Sequence, residues 1–274
     1  MICTPTLLAG RYRIDGVLGA GGMGRVYRAR DLLHAQLGEP SSSVALKMSG
    51  ETLAQSSDAH VLLYSEFALT RRLGHERIVR AFSFEVDAVF QVAFFTMELL
   101  QGVTLDRLLP DYPDGMPWHE LQPIALQLLD AVRYAHDQGV LHGDVKPANI
   151  LVGREGLRLF DFGLGQAAEQ GTPRLNRSRF NAWTPEYAAP ELLAGAALSA
   201  SADLYGVACV LYTLAQGRRL LGEERSVPPS ELPRHCWAAL RTALAVDPQH
   251  RTISIEELHE VMGRARYGFS HWFG

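Results

Sequence analysis

Short runs of β-branched and aromatic residues, separated by polar and glycine-containing stretches, fill the first hundred positions of the chain. Runs of this length and composition are typical of β-strands. One longer stretch in this part, His60–Leu73, has the spacing of a helix. The predicted strands are Tyr12–Val17, Arg25–Ala29, Val44–Met48, Ile78–Phe84 and Val92–Met97.

After Leu105 the apolar residues recur at the three- and four-residue spacing of helices. The clearest helix ends near Gly139, a residue type that commonly terminates helices. Its apolar positions are Leu121, Ala125, Leu128, Leu129, Val132 and Ala135. Further helices are predicted over Ala202–Gln216, Arg234–Ala245 and Ile255–Arg264.

This order of elements predicts an α+β protein with two lobes in a single domain. A small β-rich N-lobe is expected over about residues 10–98 and a larger, mainly helical C-lobe over about 102–266. The boundary is expected near Met97–Gly102. Within the N-lobe, the polar stretch Leu33–Ser43 is predicted to be a long, mobile connection between two strands.

Composition narrows the function classes. The chain has 274 residues, 47% of them hydrophobic, and a net charge of −4, which gives no reason to expect a nucleic-acid partner. Its three cysteines, Cys3, Cys209 and Cys236, are far apart and indicate reduced thiols and a cytoplasmic location. No apolar run approaches the roughly 20 residues that span a bilayer. The aromatic stretch Tyr267–Phe273 is expected to pack on the last helix, with contact to a membrane or a partner as the alternative.

The residues with the clearest chemistry lie between positions 142 and 163. Residues 142–149 read His-Gly-Asp-Val-Lys-Pro-Ala-Asn, and residues 161–163 read Asp-Phe-Gly. These segments contain the groups that move a phosphoryl group from a metal-bound nucleotide to a hydroxyl. Asp144 can accept the hydroxyl proton, and Lys146 can neutralise charge on the transferred phosphate. The candidate metal ligands are Asn149 and Asp161.

This order and spacing resembles the catalytic loop of protein kinases. From about Tyr12 to Arg264, the chain is similar to the eukaryotic-like, bacterial-type Ser/Thr protein kinases. The resemblance implies a two-lobed kinase fold that transfers the γ-phosphoryl group of ATP to Ser or Thr hydroxyls of proteins. It also implies the use of Mg²⁺, for which Mn²⁺ can substitute. A polar loop that only caps the strand Ile150–Val152 is the alternative for the motif.

Positions 19–24 match a GxGxxG pattern, in which backbone amides can approach phosphate oxygens closely. The residues after it, Arg25–Ala29, look like a strand, whereas a dinucleotide-binding fold requires a helix there. The resemblance therefore assigns the loop to ATP, and a plain glycine-rich hairpin is the alternative. The assigned glycines are Gly19, Gly21, Gly22 and Gly24.

The string Val44–Lys47 resembles the kinase strand whose lysine reaches the α- and β-phosphates, so the resemblance gives Lys47 that role. A lone lysine after a strand is otherwise a solvated surface group. Its acidic partner is expected to be Glu66, because Glu66 lies on the predicted helix. Glu51 and Asp58 are the alternatives.

The segment from Met97 to Leu100 resembles the hinge that reads adenine through backbone groups, with Met97 as its gatekeeper. Thr70 departs from the family, which usually has an apolar residue at this place. Its hydroxyl is expected either to loosen the helix or to bond to a backbone carbonyl. The further nucleotide-binding assignments are Val26, Ala45, Met97, Glu98, Leu100 and Leu151.

The family's usual His-Arg-Asp tripeptide has Gly143 in place of its arginine. A glycine cannot form the basic pocket that grips a phosphorylated activation loop, so activity is expected not to depend strictly on loop phosphorylation.

Thr184 lies in a Trp-Thr-Pro-Glu-Tyr string that resembles the substrate-docking loop of Ser/Thr kinases. The resemblance therefore adds Thr184 to the expected catalytic residues. The expected autophosphorylation sites are Thr172, Ser178 and Thr184. The arginines beside them, Arg174, Arg177 and Arg179, either bind a phosphate or form a solvated face.

Three more residues match structural positions of the family. Glu191, which closes the activation segment, and Arg251 are expected to form a buried ion pair. Asp203 is expected to hold the backbone of the catalytic loop.

Two other functions are alternatives for a kinase-like sequence, and the residues present argue against both. A scaffold that acts only by binding would usually lack the lysine, a metal ligand or the catalytic aspartate, and all of these are present. A small-molecule kinase should lack Glu191 and its partner Arg251, and this chain has both. The expected partners are protein substrates and, on family grounds alone, a phosphothreonine-reading protein and an opposing phosphatase.

Overall fold

Antiparallel strands dominate the first part of the computed structural model, which describes residues 6–21, 24–39, 41–49, 59–167, 184–218 and 227–264. Six strands form one sheet, and all their pairings are antiparallel. They are β1 (Leu7–Leu8), β2 (Tyr12–Gly21), β3 (Gly24–Asp31), β4 (Ser43–Ser49), β5 (Ala81–Asp87) and β6 (Val92–Glu98). Their order across the sheet is β1-β2-β3-β4-β6-β5.

The two faces of this sheet have different roles. Leu46 of β4 is buried in an apolar cluster with Tyr27 and Phe94 on one face. Because successive residues of a strand face opposite sides, Lys47 lies on the other face. That face is covered by a helix that packs against it through Leu63 and Phe67. It is α2 (Ala59–Arg71), which follows α1 (Leu32–Gln36) among the helices of the described residues.

Helix α1 corrects one expectation from the sequence. The stretch Leu33–Ser43 does not run as an open connection throughout, because its first residues belong to α1. The side chain of Asp31 accepts hydrogen bonds from the backbone amides of Leu33 and His34, at 3.1 and 3.3 Å. Such an N-cap satisfies amides that have no partner within the helix and stabilises a short helix.

The second lobe is mainly helical. In the described ranges its helices are α3 (Leu105–Leu108), α4 (Trp118–Asp137), α5 (Pro190–Leu193), α6 (Ala200–Gln216), α7 (Arg234–Ala243) and α8 (Ile255–Arg264). Short strands precede these helices or lie between them: β7 (Val103–Thr104), β8 (Val140–Leu141), β9 (Ile150–Gly153), β10 (Gly156–Leu159) and β11 (Gln166–Ala167). Single 3₁₀ turns occur at Leu109–Asp111, Pro147–Asn149 and Pro248–His250.

The core of this lobe is built on α4 and α6. All residues of α6 from Ala202 to Ala215 are buried. The six apolar positions predicted for α4 are also buried, and Gly139 follows the helix with a φ of +68°. These observations confirm the helical pattern, and the element order confirms the predicted α+β, two-lobed organisation.

One predicted strand begins at a different residue. The sequence pattern predicted a strand from Ile78, but β5 begins at Ala81. Ile78 forms an isolated bridge with Leu159 of β10, and Val79 donates to the carbonyl of Leu159 at 3.0 Å. The apolar residues before β5 therefore connect the two lobes.

The described parts of the chain contain no helix that is both long enough and apolar enough to cross a bilayer. Cys209 and Cys236 are buried free thiols, as expected. Cys3 and the aromatic stretch Tyr267–Phe273 lie outside the described residues.

Candidate active site

Lys47 is the centre of a buried cluster of charges between the two lobes. Its Nζ lies 2.6 Å from Glu66 Oε1 and 2.9 Å from Asp161 Oδ1. Strand β4 supplies the lysine, α2 supplies Glu66, and the segment after β10 supplies Asp161. The structure therefore pairs Lys47 with the acid that the sequence favoured, while Glu51 and Asp58 lie outside the described residues.

Burial and charge act in opposite directions on these groups. Burial would lower the pKa of Lys47, but the charges of Asp161 and Glu66 outweigh it and raise the pKa. Burial raises the pKa of Glu66 to about 7, and the nearby charge of Asp161 adds to the rise. Burial would also raise the pKa of Asp161, but Lys47 outweighs it and the pKa is lowered. One cation thus serves two carboxylates, and Glu66 is the one that titrates near neutral pH.

Thr70 lies one turn after Glu66 and is buried. Its Oγ1 donates a hydrogen bond to the backbone carbonyl of Glu66 at 2.8 Å. Of the two expectations for this residue, the structure supports the bond to a carbonyl. The hydroxyl is satisfied within its own helix, as threonine hydroxyls in helices often are.

Asp144, Lys146 and Thr184 form a second group on the C-lobe side. Lys146 Nζ lies 2.6 Å from Asp144 Oδ2 and donates to Thr184 Oγ1 at 2.8 Å. The loop between β8 and β9 carries the first two residues, and the segment before α5 carries Thr184. One ammonium group therefore links the candidate proton acceptor to the segment that resembles a substrate-docking loop.

Asn149 ties the candidate metal site to the same loop. Its Nδ2 donates to the backbone carbonyl of Asp144 at 2.9 Å and to Asp144 Oδ2 at 3.3 Å. These bonds occupy the NH₂ group of the Asn149 amide and fix its orientation. The amide oxygen is then the acceptor that a metal ion could contact. The side chain is buried, and the 3₁₀ turn Pro147–Asn149 carries it into the site.

The donor set fits a magnesium ion that is bound together with a nucleotide. Asn149 offers an amide oxygen, and Asp161 offers the carboxylate oxygen that does not contact Lys47. Within the described ranges, no group of three or more His, Cys, Asp or Glu side chains forms a metal cage. This combination suits Mg²⁺, which commonly takes one or two protein oxygens together with phosphate oxygens and water.

Asp203 anchors the catalytic loop from the core of the C-lobe. Its carboxylate accepts hydrogen bonds from the backbone amides of His142 and Gly143, both at 2.8 Å. It also lies 2.9 Å from Nε2 of His136. Burial would raise the pKa of Asp203, but the bond to His136 and the neighbouring groups outweigh it and lower the pKa. The sequence identified Asp203, whereas His136 was missed because nothing in its local pattern marks it.

Gly143 occupies a backbone position that excludes most other residues. Its φ is +81°, and a Cβ there would lie 2.6 Å from the carbonyl oxygen of Leu164. A side chain at 143 would therefore require a shift of the segment that follows Asp161. The preceding His142 packs its ring against Phe162, with ring centroids 4.5 Å apart.

The glycine-rich loop joins two strands, as predicted. Gly19 pairs with Val26, and Gly21 pairs with Gly24, at the turn between β2 and β3. Gly22 lies outside the described residues. The register of β3 and β4 also places Val26 opposite Lys47, so the loop and the lysine are neighbours.

The predicted hinge connects β6 to β7. Ala45 of β4 is opposite Met97 of β6, which brings two of the assigned adenine residues together. A Cβ on Gly102 would lie 2.6 Å from Leu151 Cδ2, so the end of the hinge contacts β9 closely. The side chain of Glu98 accepts a hydrogen bond from the backbone amide of Arg80. This contact holds the start of the hinge against the segment before β5. Leu100 follows in the same connection.

Glu191 and Arg251 form the expected ion pair. Two guanidinium nitrogens contact the two carboxylate oxygens at 2.5 and 2.7 Å. The Arg251 guanidinium also lies over the ring of Tyr205, 4.8 Å from its centroid. This bidentate pair holds the end of the activation segment against α6.

Several sequence-predicted residues lie outside the described parts of the chain. They are the autophosphorylation candidates Thr172 and Ser178 and the arginines Arg174, Arg177 and Arg179.

Composition holds a signal that motif matching did not use. Lys47 and Lys146 are the only lysines in the chain, and the other 24 of its 26 Lys and Arg residues are arginines. Both lysines lie in the site described above. An ammonium is compact and can approach two oxygens from one point, which the planar guanidinium fork cannot reproduce.

Comparison with known proteins agrees with this geometry. The family model for the protein kinase domain matches residues 12–260. The DNA damage-responsive Ser/Thr-protein kinase RqkA of Deinococcus radiodurans is 38% identical over 79% of this chain and 31% of its own length. The Ser/Thr-protein kinase PkaA of Streptomyces coelicolor is 31% identical over 88% of this chain and 47% of its own length. The chain thus spans only 31–47% of the length of these curated relatives.

A solved structure agrees as well. The kinase domain of PknI from Mycobacterium tuberculosis superposes with a TM-score of 0.71 and 26% identity. The superposition covers 96% of this chain and 99% of that domain. The fold is therefore the two-lobed protein kinase fold, and the chain belongs to the protein kinase domain family, among the bacterial, eukaryotic-like Ser/Thr protein kinases.

Proposed function

We propose that this chain, as a single kinase domain, transfers the γ-phosphoryl group of ATP to Ser and Thr hydroxyls of protein substrates. The observation that carries the proposal is the group formed by Asp144, Lys146 and Thr184, which are joined by contacts of 2.6 and 2.8 Å. A carboxylate beside an ammonium, next to a docking segment, suits removal of a proton from an incoming hydroxyl.

In the proposed reaction, the acceptor oxygen forms a bond to the γ-phosphorus as the bond from that phosphorus to the bridging oxygen of ATP breaks. The proton of the hydroxyl passes to Asp144, and ADP leaves. Lys146 neutralises part of the negative charge on the group in transfer and keeps Asp144 in place. Thr184 holds Lys146 from the substrate side.

On the nucleotide side, Lys47 holds the phosphates and Glu66 orients Lys47. The glycine-rich loop covers the phosphates, while the backbone of the hinge and the side chains of Val26, Ala45 and Leu151 receive the adenine. Asn149 and Asp161 hold Mg²⁺, which lowers the negative charge of the triphosphate when it is bound. Mn²⁺ offers the same charge and a similar preference for oxygen ligands.

Gly143 supports a second, finer proposal about regulation. The residue directly before Asp144 is a glycine and not the family's usual arginine. A phosphate on the activation segment would therefore lack that cation as a partner. The domain is therefore proposed to act without strict dependence on loop phosphorylation, although it phosphorylates itself at Thr172, Ser178 or Thr184. Phosphatase-treated enzyme should keep most of its initial rate. A treated enzyme that is inert and recovers only after loop phosphorylation would refute this proposal.

The partners proposed for the domain are protein substrates. A phosphothreonine-reading protein and an opposing phosphatase remain an expectation of the family resemblance.

The test of the function is a transfer assay with γ-labelled ATP, Mg²⁺ and a generic basic protein. Wild-type protein should place label on phosphoserine or phosphothreonine, and Asp144→Asn and Asp161→Asn should abolish it. Binding of ATP without any transfer would instead favour a kinase-fold scaffold that acts through its partners. Transfer to sugars or aminoglycosides, with none to protein, would indicate a small-molecule kinase.

A further inference from the structure

A cavity of about 610 Å³ opens beside the phosphoryl-transfer group on the C-lobe side. Lys146 and Thr184, the residues that contact each other at 2.8 Å, both line it. A substrate whose hydroxyl reaches Asp144 can therefore place a flanking side chain in this cavity. The cavity also has an apolar wall, formed by Leu109, Pro110 and Pro147.

The far wall of the cavity is fixed to the core of the lobe. It consists of the turn between α3 and α4 and the end of α6, which touch through two glycines. A Cβ on Gly115 would collide with the carbonyl oxygen of Ala215, and a Cβ on Gly217 would collide with the carbonyl oxygen of Tyr112. Met116 also donates to the carbonyl of Leu214 at 2.8 Å. A wall held at this spacing keeps its shape when a peptide binds.

The charges that line the cavity are not equivalent. Lys146 is already paired with Asp144. Glu186 and Arg218 also line the cavity, and both have interactions within the protein. Asp106, in contrast, is exposed and has no hydrogen bond or ion pair with any other residue in the described ranges. The adjacent Leu105 is fully buried, so it fixes the short helix that carries Asp106.

We infer that Asp106 is a specificity-determining residue that binds an arginine or lysine close to the phosphorylated Ser or Thr of the substrate. The inference rests on the proposed function and adds a substrate class to it. A long basic side chain matches this cavity because its aliphatic stem can pack on Leu109 and the prolines while its charged end reaches the carboxylate. Arginine fits best, since its guanidinium can form two parallel bonds to one carboxylate.

The test scans arginine through the positions that flank a fixed serine in an otherwise uncharged peptide. At the preferred position, replacing arginine with neutral, isosteric citrulline should lower kcat/KM by about tenfold for the wild-type enzyme. Asp106→Asn should remove most of that preference, so that the two changes together cost no more than either alone. Asp106→Lys should reverse it and favour glutamate at that position. Asp111→Asn, a nearby acid that does not line the cavity, should keep the full arginine preference.

The outcomes separate this inference from the proposed function. Equal transfer to all peptides, or a preference that survives Asp106→Asn, would overturn the inference and leave the kinase function intact. A preference for acidic flanks that depends on Arg218 would also overturn it. If wild-type enzyme labels no peptide and no basic protein, the proposed function fails and the inference fails with it.

Discussion

Two buried carboxylates, Asp203 and Glu66, position the two halves of the site in different ways. Asp203 accepts two backbone amides at 2.8 Å and lies next to a histidine, and its pKa is lowered. Glu66 has the Lys47 ammonium as its anchor, which it shares with Asp161, and its pKa is raised to about 7. The catalytic loop is therefore held by donors that cannot titrate, whereas the lysine cluster depends on a balance of charge. Ligand binding and a change of pH should therefore affect the lysine cluster before they affect the catalytic loop.

Of the variants that test this comparison, Lys47→Arg should have the largest effect, because the guanidinium cannot place one charge between two carboxylates as the ammonium does. We expect kcat/KM for ATP to fall by about 10²- to 10³-fold, as for the loss of one positioned electrostatic group. Steady-state transfer at varied ATP measures this. Arg241→Lys, at an exposed position of α7 in the C-lobe, is the control and should change little. Near wild-type activity in Lys47→Arg would show that the cluster does not need a compact cation.

Asp203→Asn tests the other half of the comparison. The amide replaces an acceptor oxygen with a donor that faces a backbone N–H, so a buried hydrogen bond is lost. The free energy of unfolding should fall by about 2–4 kcal/mol, measured by denaturant titration.

Because the folded-state pKa of Asp203 is depressed, its stabilisation is present above the unfolded pKa and is lost as pH falls through the folded one. The difference between wild type and Asp203→Asn should therefore be full at neutral pH and should shrink as the pH is lowered into the acidic range. Asp137→Asn, at the exposed end of α4, is the control and should leave the free energy of unfolding unchanged. A difference that does not shrink in acid would contradict stabilisation by the ionised carboxylate.

The lysine cluster should respond to pH nearer neutrality, between pH 8 and 6. Only ionised Glu66 attracts Lys47 fully, and a pKa of about 7 means that the ionised fraction falls as pH drops from 8 to 6. For a single group with this pKa, kcat/KM for ATP should decrease by about tenfold over that range. The measurement needs saturating Mg²⁺ throughout. Glu66→Gln should have a lower rate without this inflection, and an inflection that persists in Glu66→Gln would assign it to another group.

The smallest effect should come from Thr70→Val. Valine keeps the shape of the side chain and removes only the bond from Oγ1 to the carbonyl of Glu66. Since a single internal hydrogen bond contributes about 0.5–1.5 kcal/mol, we expect a change within that range in thermal or denaturant unfolding. A loss well above it would mean that the hydroxyl also positions Glu66.

Sequence reasoning succeeded where the determining interactions are local. His142, Asp144, Lys146 and Asn149 lie within eight positions, and the loop brings them together through bonds that span five residues or fewer. The four longer helices of the C-lobe, α4, α6, α7 and α8, were also predicted from their apolar residues, whereas the short helices α3 and α5 were not. A similar local signal was present but overlooked at Asp31, whose side chain caps α1.

The features that sequence did not provide depend on contacts between distant parts of the chain. His136 meets Asp203 across 67 positions, and Ile78 was taken for a strand residue although it bridges to β10. The cavity with Asp106 could not be predicted either, since its walls come from four separate segments. Tertiary packing alone brings Asp106 to the same cavity as Lys146 and Thr184.

The most direct test of the proposed chemistry is single-turnover transfer from bound, labelled ATP to a serine peptide in wild type and Asp144→Asn. Because the position of the loop is fixed by Asp203 and not by Asp144, we expect the transfer rate to fall by about 10²- to 10⁴-fold. The Kd for Mg-ATP, measured separately, should change by less than about threefold. A variant that retains most of the transfer rate, or that loses activity only because it no longer binds ATP, would contradict the assignment of Asp144 as the proton acceptor.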